Sequence, residues 1–357
     1  MNSDWQAYLQ SQHALIEDGR VAHFGNAAAE LISTRTATAT VLTDLSHFDL
    51  IQFAGEDAQS FLQGQVTCDV SRIGSSSAGS SLASYGGYCN PKGRLLASFM
   101  LWHYDDGYLM QLPGELRAGI QKRLSMYVLR AKVRLGDAGN TMVRMGLAGD
   151  DARALIQRVC GEVPPLSLGV NHGEKGSVIS LPGDRFELIV PPEQAPAVWQ
   201  DLRSEAEPVG APCWDWLNIR LGIPVILPET QEQFVPQMVN LDTIGGVSFQ
   251  KGCYPGQEIV ARTQYLGKIK RRMYLANINS NEGGEQISVA AGDELFSADM
   301  EGQSSGMVAN ASPSPGGGFD VLAVIQISSV EGGRIHWKST DGPALDIMRL
   351  PYAIDPG

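Results

Sequence analysis

Residues Phe249 to Arg262 read FQKGCYPGQEIVAR. A cysteine stands two positions after a lysine, with Gly252 before it and Pro255-Gly256 after it. Proline presets φ and glycine accepts positive φ, so Tyr254 to Gln257 predicts a type II turn. The apolar residues from Gln257 to Thr263 then predict a short helix. Cys253 would lie just before the positive end of that helix, with Lys251 nearby, and both features favour a thiolate. Against this, a cysteine in a structural turn is often buried and inert. Residue type and spacing leave the two readings open.

Composition narrows what surrounds this stretch. The chain has 357 residues, 43% of them hydrophobic and 18% charged, as expected for a folded protein of two or three domains. Its net charge of −12 opposes nucleic-acid and anionic-membrane binding. No run of apolar residues is long enough to span a bilayer, and the first 20 residues do not read as a secretory signal. The five cysteines, Cys68, Cys89, Cys160, Cys213 and Cys253, are scattered and form no CxxC. That pattern fits reduced thiols in a cytoplasm and predicts no structural metal site. The six histidines include no HExxH pair.

The chain in order predicts an α+β protein. Residues 1–34 read as a helical extension carrying Trp5 and Leu9. A core domain is expected over 35–140 plus 213–266. Residues 141–212 read as a small α+β (ferredoxin-like) domain, strand–helix–strand–strand–helix in order. Residues 267–357 show short alternating segments between Gly, Pro and Ser turns, the pattern of an antiparallel β-barrel. Asn90-Pro91-Lys92-Gly93 reads as a hairpin turn and 74–81 as a Ser/Gly loop. Residues 224–240 carry three prolines and little periodicity, so a long functional loop is expected. Gly302 to Gly306 matches GxSxG, but it lacks the strand-then-helix context of a nucleophile elbow and reads as a turn. Lys268, Lys270, Arg271 and Arg272 form a basic cluster in an acidic chain, either an anion site or a charged strand edge.

These residues together resemble the YgfZ/GcvT family of folate-binding proteins, in its YgfZ-type branch. The eight-residue segment Lys251-Gly-Cys-Tyr-Pro-Gly-Gln-Glu258 carries the resemblance. Three further blocks support it: Phe61 to Gln65 with Thr67 and Asp69, Asn90 to Arg94, and Gly222-Ile223-Pro224 with Phe234, Pro236-Gln237 and Asn240. Tyr265, Gly267-Lys268 and Lys270-Arg271 complete it. The resemblance implies a three-domain, aminomethyltransferase-like cloverleaf around a central channel that holds tetrahydrofolate. It implies a role in synthesis or repair of iron–sulfur clusters in client enzymes, and so in tRNA modification. Expected partners are folate and iron–sulfur client or assembly proteins, without direct nucleic-acid or membrane contact, for a cytoplasmic monomer. Cys253 carries over as the functional thiol, with Lys251 and Tyr254 beside it. Gln65, Asn90, Lys92, Arg94, Gln237, Asn240, Gln257, Glu258, Arg262, Lys268, Lys270 and Arg271 carry over as folate-site candidates, the basic ones for the glutamate tail.

The sequence also departs from the transferases. They place an Asp pair a few residues beyond the second-block glycine, where this chain has Arg94-Leu-Leu-Ala-Ser98. Their R-x-E-x-G pattern aligns with Asn218 to Gly222, so Arg220 stands at the glutamate position. A general base at that point is missing, which argues against a conventional aminomethyltransferase. A one-carbon transferase and a non-catalytic folate-binding scaffold are the two alternatives.

Overall fold

A computed structural model describes residues 1–36, 39–74, 81–265, 267–279, 287–300 and 302–354. The Ser/Gly stretch expected as a loop lies mostly outside the described residues. The chain forms two compact units. The first comprises residues 1–61, 70–84 and 100–214; the second comprises 62–69, 85–99 and 215–357.

The first unit is built on a seven-stranded sheet. Its order is Glu207–Val209, Val41–Asp44, Val143–Ala148, Arg185–Val190, Gly176–Leu181, Gly169–Gly173 and Ser81–Leu82. The central strands are buried along their whole length, which is why they read as continuous apolar runs. Helices Ala152–Cys160 and Ala195–Arg203 close their apolar faces over this sheet through Leu155, Ile156, Val198, Trp199 and Leu202. Strands on both sides of residue 140 share the sheet, because Val41–Asp44 pairs antiparallel with Val143–Ala148. A second sheet centres on Phe48–Ala54, paired with Gly107–Pro113 and Arg134–Asp137.

The N-terminal segment differs from a simple helical lead-in. Helices Ser3–Ser11 and Ala27–Arg35 flank a hairpin of Leu15–Glu17 and Arg20–His23. Asn2 caps the first helix by accepting from the Asp4 and Trp5 amides. Trp5 is buried in the core of the unit, and its indole donates to Asp44 at 2.7 Å. Burying that ring and satisfying its N–H ties the segment down.

The second unit carries the antiparallel sheet expected at the C-terminal end. Its order is Ile335–Trp337, Glu294–Ser297, Ser304–Pro313, Phe319–Gln326, Arg271–Ile278 and Leu345–Met348. An antiparallel bridge from His336 to Ala344 links the two ends, so the sheet curls into a half-barrel around Ile278, Leu295, Val308, Val321 and Ile325. Ser304 and Ser305 stand in a strand and donate to the Leu295 carbonyl, so the GxSxG match forms no nucleophile elbow. The expected loop over 224–240 is held by the half-barrel: Asn310 accepts from the Val225 amide at 3.0 Å and donates to its carbonyl at 2.8 Å.

Candidate functional site

The cysteine loop is assembled on the first block. Thr67 is fully buried. Its amide donates to the Gly87 carbonyl and its hydroxyl accepts from the Gly87 amide. The same hydroxyl donates to the Gly246 carbonyl at 2.6 Å, and the Thr67 carbonyl accepts from the Ser248 amide. The residues flanking Thr67 hold the next anchor. The Lys251 ammonium donates to the Val66 carbonyl at 2.6 Å and the Cys68 carbonyl at 2.7 Å. It also lies 5.4 Å from the centre of the Tyr254 ring. Burial pushes the Lys251 pKa down to about 8, although Cys68 and Asp69 partly oppose the shift. Lys251 is therefore a clamp whose hydrogen bonds go to the main chain.

After the clamp comes the turn. The Gln257 amide donates to the Tyr254 carbonyl at 3.1 Å and Gly256 has φ +81°, as a type II turn requires. Helix Gln257–Tyr265 follows, packs by Val260 and is closed by the Gly267 amide on the Arg262 carbonyl. Gly256 sits against the second block. A Cβ there would lie 2.5 Å from the Asn90 carbonyl oxygen and 2.6 Å from the Gly93 Cα. Gly93 has φ +71°, and a Cβ on it would meet Ile259 at 3.1 Å. Two turns thus meet backbone to backbone, which only glycine at both places allows.

Cys253 stands between clamp and turn and is exposed. Cys68, Cys89 and Cys213 are buried, and Cys160 is half-buried. Burial pushes the Cys89 thiol up to about 12 and the Cys160 thiol up to about 11, which suppresses their thiolates. Among the described residues, no cluster of three or more His, Cys, Asp or Glu could hold a metal ion. Tyr254 is buried, its hydroxyl has no hydrogen-bond partner among the described residues, and burial holds its proton well above the usual tyrosine range.

The other candidates divide into engaged and available groups. The Asn90 side-chain oxygen accepts from the Lys92 and Arg94 amides at 2.9 and 3.0 Å, and its amide donates to Glu232 at 3.1 Å. Arg94 donates to the Gln233 carbonyl. Gln237 and Asn240 are fully buried; Gln237 donates to the Val260 carbonyl and Asn240 to the Met273 carbonyl. These residues hold the third block to the cysteine helix and to the half-barrel. Gln65 is half-buried, with a side-chain oxygen that has no partner among the described residues. Lys92, Glu258, Arg262, Lys268 and Lys270 are exposed, and Gln257 and Arg271 are half-buried. Arg272 leaves the basic cluster altogether: it is buried and donates to Asp242 at 2.8 and 3.1 Å and to the Gln237 carbonyl.

Glu232 is the residue that the linear sequence gave no reason to select. Its carboxylate reaches Asn90 across 142 positions, at the turn where the Arg94 to Ser98 stretch lacks an acid. A signal exists in retrospect: it lies in the proline-rich 224–240 loop, the segment expected to be functional.

The polar inventory fits a folate. Its glutamate carboxylates suit the exposed Lys268, Lys270 and Arg262, and its pterin N–H groups suit an acid such as Glu258 or Glu232. All of these residues belong to the second unit.

Comparison with known proteins agrees with this architecture. The GCVT N-terminal domain family matches residues 7–174. The tRNA-modifying protein YgfZ of Sodalis glossinidius is 31% identical over 318 residues, covering 88% of this chain and 93% of that protein. Its counterpart from Escherichia coli O157:H7 is 30% identical, covering 88% of this chain and 94% of that protein. The glycine cleavage system aminomethyltransferase T of Bartonella henselae superposes with a TM-score of 0.79 over 98% of this chain and 97% of that one, at 17% identity, so the fold is aminomethyltransferase-like. No helix among the described residues is long and apolar enough to cross a membrane. With this identity over most of its length, the chain belongs to the YgfZ family.

Proposed function

We propose that this protein binds tetrahydrofolate and assists the synthesis or repair of iron–sulfur clusters in client enzymes, and through them tRNA modification. It works as a cytoplasmic monomer with Cys253 as the functional thiol. The observation that carries this reading is the exposure of Cys253 in a chain whose other four cysteines are buried or half-buried. A purely structural cysteine would be expected inside. Here the loop fixes the backbone on both sides of the thiol, by the Lys251 clamp and the Gly256 turn, and leaves the sulfur free to meet a partner.

When bound, tetrahydrofolate supplies a reduced pterin that can carry a one-carbon unit. The chain's own part is to hold it. Lys268, Lys270 and Arg262 would pair with its carboxylates, and Lys92 adds a further exposed cation on the second-block turn. Arg220 stacks at 6.0 Å over Trp216, and its guanidinium lies 3.8 Å from the Asp320 carboxylate. That is a structural use of the position at which transferases carry glutamate, and it favours the assistance role over methylene transfer.

The test is twofold. The purified protein is titrated with tetrahydrofolate, and saturable binding is expected. A deletion strain is complemented with wild type or Cys253→Ala, and the activity of an iron–sulfur enzyme is measured in both. Saturable binding together with loss of complementation supports the proposal. Absence of binding removes the folate part, and full complementation by Cys253→Ala removes the thiol part.

A further inference from the structure

Glu232 is held in an unfavourable backbone conformation. Its φ is +61°, a left-handed value that non-glycine residues adopt at an energetic cost. The conformation is enforced from both sides. The Glu232 amide donates to the Leu95 carbonyl at 2.8 Å, and the Leu95 amide donates to the Phe234 carbonyl at 2.8 Å. Arg94 donates to the carbonyl of Gln233 between them. Glycine would fit the same backbone without strain, so the side chain needs its own explanation.

That side chain is exposed and aimed. Asn90 spends its oxygen on two backbone amides of its own turn, which leaves its NH2 group directed at one Glu232 oxygen, 3.1 Å away. The other carboxylate oxygen has no partner among the described residues. Gly256 presses its backbone on the same Asn90, three positions after Cys253. One turn therefore carries both the backbone support of the cysteine loop and an oriented carboxylate.

We propose that Glu232 is the carboxylate that grips the pterin ring, an assignment that rests on the folate reading above. The 2-amino group and the adjacent ring N–H of a pterin form a planar donor pair like two arms of a guanidinium. A carboxylate accepts such a pair through two parallel hydrogen bonds. Glu258 is also exposed, but no side chain among the described residues orients it, whereas Asn90 fixes Glu232 in advance. The acid absent from the stretch after Arg94 is thus supplied from the 224–240 loop.

The experiment compares wild type, Glu232→Gln and Glu232→Gly in titrations with tetrahydrofolate and with 4-aminobenzoyl-glutamate, which has the tail but no pterin. Thermal unfolding is recorded alongside. Glu232→Gln is expected to weaken tetrahydrofolate binding about tenfold or more, the usual effect of losing a charged hydrogen-bond partner. Binding of 4-aminobenzoyl-glutamate should be unchanged. Glu232→Gly should weaken tetrahydrofolate equally while unfolding at a higher temperature than wild type, because it removes the strain. Wild-type tetrahydrofolate affinity in Glu232→Gln overturns the assignment alone, as does an equal loss for both ligands. A wild-type protein that binds no tetrahydrofolate overturns the folate reading, and the assignment with it.

Discussion

Gly256 lies so close to Asn90 that a single added methyl group would stand 2.5 Å from the Asn90 carbonyl oxygen. The second-block turn and the cysteine loop thus touch through bare backbone. Gly256→Ala would have to adopt φ +81° and also displace rigid main chain. Gly93→Ala faces a comparable φ of +71° but milder contacts, with the Ile259 side chain at 3.1 Å and the Gly256 carbonyl oxygen at 3.2 Å. We expect Gly256→Ala to lose about 3 kcal/mol of stability and Gly93→Ala about 1 kcal/mol, since both bear the left-handed cost and only the first sets a Cβ as close as 2.5 Å to a backbone oxygen. Denaturant unfolding of the two variants checks the order; equal losses would count against the packed-turn description.

Lys251 makes a prediction in pH. Its folded pKa, pushed down to about 8 from an ordinary 10.5, means that folding penalises the charged form. Below about pH 8 the penalty is fully present. Between about 8 and 10.5 the unfolded chain binds more protons than the folded one, so this group's contribution to stability rises with pH. Lys251→Met would leave the Val66 and Cys68 carbonyls without their donor, at a cost of about 1–3 kcal/mol near neutrality. The gap in melting temperature between wild type and Lys251→Met should widen from pH 7 to pH 10. A gap that narrows contradicts the assignment.

The basic cluster should split by role. Asp242→Ala removes the carboxylate paired with the buried Arg272 guanidinium and should cost about 3 kcal/mol or more. The double substitution Lys268→Ala and Lys270→Ala should leave stability within about 0.5 kcal/mol, because both side chains are exposed. On the proposed function it should weaken folate binding, more so at low ionic strength, where exposed charges are least screened. Thermal melts with a salt series of folate titrations separate the two effects. Stability loss in the lysine double variant would contradict the division.

What the sequence made legible follows from local chemistry. Pro255-Gly256 and Asn90 to Gly93 announced their turns, because proline and glycine restrict or release φ one residue at a time. The C-terminal half-barrel was readable from its short alternating strands. Three features were not readable, each for a nonlocal reason. The hairpin at 15–23 has short, partly exposed strands and forms between two helices. Arg272 looked like the other cations because its partner Asp242 is 30 residues away. Glu232 faces Asn90 only because residues 232–234 pair with Leu95. Exposure of Cys253 was equally open in the sequence, since burial depends on how the Lys251 clamp and the Gly256 turn aim the intervening residues.

The most direct measurement is complementation by Cys253→Ala at matched abundance. Because the Cys253 side chain is exposed, the substitution should change stability by less than about 0.5 kcal/mol, so any functional loss belongs to the thiol. We predict that Cys253→Ala folds as wild type, binds tetrahydrofolate as wild type, and fails to restore the activity of an iron–sulfur enzyme in the deletion strain. Full restoration by Cys253→Ala, at the same protein level, would contradict the account.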